Sequence, residues 1–434
     1  MKALFLFFIL NLSHLSCQEQ QNKGQFSKVV FRVLESFSND DFQTASKYFS
    51  SRFNKKHLIQ SLQQTWALQE LKYGPYQEII FSDLEHSTKG VSLKTLIQMK
   101  RSKLALKFTF TASKTIRAYQ FINQDQIQIP KYKTPPYVKP KKFYSELLEL
   151  GGTISPIQAK MYLPKSSSIK NTLIFLHDFG PRDMYHRDGV NSYYRDMAEG
   201  LASNSIASVL YDKRSFSYKA PKNSAFNPGW EILRDLYGVI FKIKSHPKLQ
   251  NTKVTVILNG FSTYLTSYLA NQKVFDQFIL LNPSFRHPLK TLFEKEEFFL
   301  ANKSNSESEL LKLHNNIQQF FENENLDYDK LFFNYPVSYF RSLEKYSPKQ
   351  IPKQTQANFL LLSAGEAYSQ NPSDIPLIHD VLKKQKVTEH KFPELNHIFH
   401  VGKVLQTNEN IHTQGIVSAR VILIIKDWLE NPTQ

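Results

Sequence analysis

Gly260-Phe261-Ser262 follows the apolar run Val254–Asn259 and precedes a helical pattern that begins at Thr263. A serine held where a strand turns sharply into a helix has its Oγ lifted off the sheet edge, where it can act as a nucleophile. Such a serine needs a general base. His397, in Pro393-Glu394-Leu395-Asn396-His397 shortly before the last helical pattern, stands where that base belongs, and His400 is its neighbouring competitor. The base in turn needs an orienting acid. After Phe359–Leu362 the nearest carboxylate is Glu366, with Asp374 farther along, while Tyr368 occupies the place where an aspartate is expected. A tetrahedral oxyanion would require backbone N–H donors: Thr263, which follows Ser262, and Asp178 or Phe179 in the strand-to-loop segment Leu173–Pro181. Each position also has a plainer reading. Ser262 would cap a helix, His177-x-x-Gly180 would be an ordinary turn, and His397 would lie on the surface.

Two side chains fit the catalytic reading badly. Tyr264 is large where the turn needs a small residue for close approach of strand and helix, and Asp178 brings negative charge to a site for an oxyanion. No Cys/His spacing for a metal and no Gly-rich phosphate loop occurs, so no cofactor is expected.

The elements that must position these residues are legible as patterns. Helical periodicity covers about 25–38, 41–50 and 55–70, and strand-like runs follow at Gln77–Phe81, Val91–Met99, Leu104–Thr111 and Thr115–Phe121. This reads as a small α+β domain over 24–125, with Trp66 in its core. Residues 126–147 form a Pro/Lys-rich linker. From 148 to 434, apolar runs at Thr172–Leu176, Ser205–Tyr211, Val254–Leu258, Phe278–Leu281 and Asn358–Leu362 alternate with helical patterns, the last at Ile416–Leu429. That alternation predicts an α/β domain with a mostly parallel sheet. The stretch 286–350, rich in Phe, Leu, Glu and Asn at helical spacing, predicts a helical cap over the site.

The formal charge is +17, but the lysines are dispersed and no arginine-rich arm or aromatic-interleaved motif accompanies them. A solvated basic surface is therefore expected rather than a nucleic-acid-binding one. Met1-Lys2 precedes the apolar run Ala3–Leu10, which has the length of a secretory signal and is too short to span a bilayer. The single cysteine, Cys17, follows Leu15-Ser16, where a lipoprotein signal would place its lipidated first residue, although His14 departs from that pattern. Residues 1–17 are thus expected to be an export signal, with Cys17 as the lipidation site and the source of any membrane association. An ordinary signal peptide with an incidental cysteine is the alternative.

Taken in order, these features resemble a secreted bacterial α/β-hydrolase, of serine-esterase type, fused behind a small domain similar to the cone-shaped fold of nuclear transport factor. The resemblance spans nearly all of the mature chain. The front domain carries it at Phe49, Leu58, Trp66 and Tyr73-Gly74, and Leu163-Pro164-Lys165 follows the linker. The hydrolase part carries it at His177, Gly180-Pro181, Asp183, Tyr211-Asp212-Lys213-Arg214, Asp235, Gly260-x-Ser262, Tyr339, Tyr346, Gly365-Glu366, Gln370 and Leu395-Asn396-His397. The resemblance implies hydrolysis of a small-molecule acyl ester, with Ser262 as nucleophile, His397 as base and Thr263 with Asp178 or Phe179 as donors. Departures gather at the site: Asp178, Tyr264, Leu265, Ser215 and Ser217 replace glycines, and Tyr368 replaces the acid. Two readings follow, an exported esterase and a catalytically impaired pseudo-hydrolase used as a binding or envelope-associated module.

Overall fold

In the computed structural model, residues 26–431 are described, apart from 302–306, 367–370, 402–413 and scattered single or paired positions. Cys17 and Tyr368, both named above, lie outside the described residues, as does the side chain of Glu366. The chain divides into two compact units, the first built mainly from residues up to Tyr132 and the second from Lys133 onward.

In the first unit, α1 (Phe42–Ser46) and α2 (Lys55–Tyr73) precede an antiparallel meander of β1 (Tyr76–Ser87), β2 (Gly90–Met99), β3 (Lys103–Phe110) and β4 (Ile116–Ile122). Both helices start on capping side chains that satisfy otherwise orphaned N–H groups. Asp41 accepts from the Thr44 N–H at 2.9 Å, and Asn54 accepts from the His57 N–H at 3.2 Å. Trp66 is buried and packs 5.0 Å from the Phe37 ring.

The second unit is an eight-stranded sheet. Its strands are β5 (Phe143–Leu150), β6 (Ile157–Pro164), β7 (Asn171–Phe175), β8 (Ala207–Tyr211), β9 (Lys253–Asn259), β10 (Gln277–Leu281), β11 (Asn358–Glu366) and β12 (Lys386–Asn396). Their spatial order is β12-β11-β10-β9-β7-β8-β6-β5. β5 and β6 pair antiparallel, β6 pairs antiparallel with β8, and the remaining neighbours are parallel. This is the α/β-hydrolase fold, with the small antiparallel domain ahead of it. Central strands are apolar on both sides because helices cover both faces. Ile174, Leu176, Val256 and Leu258 join one core, while Leu173, Phe175, Ile257 and Ile279 join the other.

Two expectations are corrected. The stretch 126–147 is not linker to its end, because β5 begins at Phe143 and pairs along its length with β6. Within that stretch Val138 is buried and the Lys139 N–H donates to Ser203 Oγ at 2.8 Å. β12 was also unanticipated, since Lys386–Asn396 alternates polar residues as an edge strand does. The insertion between β10 and β11 forms the helices Pro288–Ala301 and Glu307–Glu322, followed by a two-residue ladder and a short helix at Val337–Ser342.

Candidate functional site

β9 runs into a single left-handed corner and then into helix. That corner is Gly260, with φ +49°, and no other residue between 254 and 272 has a positive φ. A strained one-residue corner at this junction is where an elbow holds its nucleophile. The left-handed corner is therefore Gly260, two residues before Ser262, the residue expected to be the nucleophile. Ser262 is fully buried. Its Oγ donates to the Asn259 carbonyl at 3.0 Å and accepts from the Asn259 N–H at 2.8 Å, with no hydrogen bond to His397. It fills the small-residue position two past the corner that lets strand and helix approach closely, and its hydroxyl satisfies the strand end. The helix-capping reading describes it. Counted from that corner, Tyr264 is no anomaly: it lies four residues on, buried and edge-on to His287 at 6.0 Å.

The N–H that follows the Gly260 corner belongs to Phe261, whereas Thr263, the expected donor, follows Ser262. Thr263 is buried, and its hydroxyl bridges the Gly260 carbonyl at 2.6 Å and Ser284 at 3.0 Å. The Phe261 N–H is already engaged: it donates to Asp178 Oδ1 at 2.7 Å. A Cβ added at Gly260 would lie 2.5 Å from the same oxygen. The Asp178 carboxylate thus fills the space above the apex. Phe179, the other expected donor residue, packs its ring 4.4 Å from Tyr335 and 5.5 Å from Phe261.

Asp178 is held there by its own backbone. The buried Lys213 Nζ donates to the Asp178 and Gly180 carbonyls at 3.2 and 3.1 Å and pairs with Glu231 at 3.2 Å. Glu231 is fully buried and also accepts from Ser215 Oγ at 2.5 Å and from the hydroxyls of Tyr335 and Tyr339 at 2.6 Å each. Burial pulls the Lys213 ammonium below its usual range, against the attraction of Glu231. Sequence reasoning missed Lys213 and Glu231 as a pair, although Tyr211-Asp212-Lys213-Arg214 already contained one of them.

The imidazoles do not form a relay to Ser262. His177 is buried, with Nε2 2.7 Å from the Tyr211 carbonyl and Nδ1 3.1 Å from His186 Nδ1. A carbonyl only accepts, so His177 carries its proton on Nε2 and accepts from His186 through Nδ1. Burial pushes its pKa down to about 3. His397 is half-buried, and its carbonyl accepts from Asn282 Nδ2 at 2.9 Å. Burial, reinforced by Arg182 and other nearby basic groups, holds His186 well below the usual imidazole range. Glu366 lies at the end of β11, its backbone opposite Asn396. Asp374 is committed elsewhere, to Ser284 Oγ at 2.7 Å and to Arg286 at 3.1 Å. Arg286 in turn lines a cleft of about 430 Å³ beneath the insertion, together with Tyr264, His287, Lys290, Phe321 and Leu377. Among the described residues no group of three His, Cys, Asp or Glu could hold a metal, and no helix is long and apolar enough to cross a membrane.

No protein-family model matches the chain. The chain is 23% identical over 410 residues to Esterase EstD of Thermotoga maritima, covering 94% of this chain and 96% of that protein. Among solved structures, it aligns with the Pyrococcus horikoshii acylaminoacyl peptidase at TM-score 0.47 and 14% identity, over 82% of this chain and 56% of that one. It aligns with the Pyrococcus furiosus esterase Pf2001 at TM-score 0.41 and 12% identity, over 69% and 98%. By its sheet order the chain has the α/β-hydrolase fold, and it is similar along nearly its whole length to a protein named as an esterase.

Proposed function

We propose that this protein uses an esterase-derived site to bind rather than to hydrolyse. The observation that carries the reading is Gly260: the corner residue of the elbow has no side chain, while the nearest hydroxyl, Ser262, is buried and turned back onto Asn259. An acyl transfer needs a nucleophile within reach of base and oxyanion donors together.

The second reading is acyl-ester hydrolysis by Ser262 and His397, with Glu366 as acid. The end-to-end match to a named esterase favours it. It requires Ser262 Oγ to leave both of its Asn259 bonds. A fluorophosphonate probe and short p-nitrophenyl esters separate the two. Binding without turnover predicts no covalent label on the folded protein and equal, background-level ester cleavage by wild type and Ser262→Ala. A label on Ser262, or cleavage abolished by that substitution, would sink it. We also infer export, with Cys17 as the lipidated residue, from Ala3–Leu10 and Leu15-Ser16-Cys17. The mass of the mature N-terminus tests this directly.

A further inference from the structure

We propose that Asp178 is the specificity-determining residue of the elbow. Its carboxylate is the resident anion of the oxyanion position, and it sets the site to accept an organic ammonium group in place of an acyl carbonyl. The inference rests on Gly260 being the apex and goes beyond the absence of a nucleophile.

Three observations converge on it. Oδ1 takes the Phe261 N–H, the donor that would otherwise face the oxygen of a bound acyl group. A side chain at Gly260 would run into the same carboxylate, at 2.5 Å from Oδ1, 2.7 Å from Cγ and 3.1 Å from Oδ2, so the missing nucleophile and the added acid occupy one space. Oδ2 has no hydrogen-bond partner among the described residues, and Asp178 is only half-buried. A carboxylate with one oxygen engaged and one open accepts a donor and repels an anion.

The surroundings fit an organic cation. Phe179 and Phe261 stand edge to face beside the carboxylate, and aromatic faces attract ammonium groups. Lys213 pairs with the buried Glu231 and donates to the Asp178 and Gly180 carbonyls, and the Asp178 charge also favours its ammonium. None of its hydrogen bonds goes to the Asp178 carboxylate, so Oδ2 keeps room for a donor from a ligand.

Butylammonium and butyrate, equal in size and opposite in charge, test this on the full-length protein. The readout is hydrogen–deuterium exchange of the segment 259–265, which contains the Phe261 amide. In wild type, butylammonium is expected to slow exchange saturably and butyrate to leave it unchanged. Asp178→Gly is expected to speed exchange without ligand and to reverse the preference, so that butyrate protects. Asp178→Asn, which keeps the shape without the charge, guards against misfolding of the glycine variant and is expected to lose the response to butylammonium. Protection of wild type by butyrate, indifference to both compounds, or an unchanged preference in the folded variants would overturn the proposal. These outcomes are independent of labelling at Ser262, which tests the proposed function instead.

Discussion

A methyl group at position 260 would meet two obstacles at once, a left-handed backbone that costs roughly 1–2 kcal/mol for any residue with a Cβ and the Asp178 carboxylate 2.5 Å away. Glycine is therefore fixed there by the acid as much as by the turn. The same neighbourhood keeps His177 uncharged. Its Nε2–H is committed to the Tyr211 carbonyl and its Nδ1 accepts from His186, so an added proton on Nδ1 would face another donor in a buried space. Folded His177 has a pKa pushed down to about 3 by burial, below its value of about 6.5 in an unfolded chain. A depressed base adds stability above the unfolded pKa and loses it as pH falls toward the folded one. Denaturation midpoints are expected to drop between pH 6.5 and 3, and more steeply for wild type than for His177→Gln, which cannot titrate. Parallel pH profiles for the two proteins would show that His177 is charged in the fold.

At the scale of elements, Glu231 joins parts far apart in the chain. The segment after β8 reaches it through Lys213, which also binds carbonyls of the loop after β7, and the insertion reaches it through Tyr335 and Tyr339. A buried pair of this kind is weak evidence for net stability, but breaking it by removing one partner leaves an uncompensated charge, at a cost of about 3–5 kcal/mol. Glu231→Leu is expected to show that loss in urea denaturation. Adding Lys213→Met to it is expected to recover part of the loss, since the stranded ammonium is then gone. Equal destabilisation by the single and double variants would mean that the hydroxyls, not the charge, dominate. The sheet around this network was largely legible because buried parallel strands are continuous apolar runs: Thr172–Leu176 and Val254–Leu258 announce themselves. β12 was not, because Lys-Val-Thr-Glu-His-Lys alternates like a solvated loop. The elbow was legible as a place but not in its register. Glycine suits both the small position two residues before an apex and the apex itself, and only the φ of Gly260 separates the two. The same ambiguity made Tyr264 look misplaced and Ser262 look exposed.

For the whole molecule, the division into two units turns on where the chain stops being free. Composition alone assigns all of 126–142 to a spacer, since Pro and Lys dominate it. Packing divides it differently. Lys131 and Lys133 are exposed at the division between the units, whereas Pro135 and Val138 are buried and the Lys139 N–H is bonded to Ser203. The Tyr137 ring lies against Gly200, where even a Cβ would come within 2.8 Å of it. A protease needs several residues of locally unfolded backbone, so susceptibility follows burial and hydrogen bonding rather than the density of cleavable residues. Brief trypsin treatment of the folded protein is therefore expected to cut first after Lys131 or Lys133, releasing a C-terminal fragment that begins at Tyr132 or Thr134. Cleavage after Lys141 or Lys142 is expected only once the second unit unfolds, because β5 pairs with β6 from Phe143 and the Lys165 N–H bonds the Lys142 carbonyl at 2.8 Å. Mass spectrometry of the earliest fragments decides the matter. A first cut at Lys141 or Lys142 would mean that the segment is a free spacer throughout, and that the contacts of Tyr137 and Lys139 do not hold it in solution.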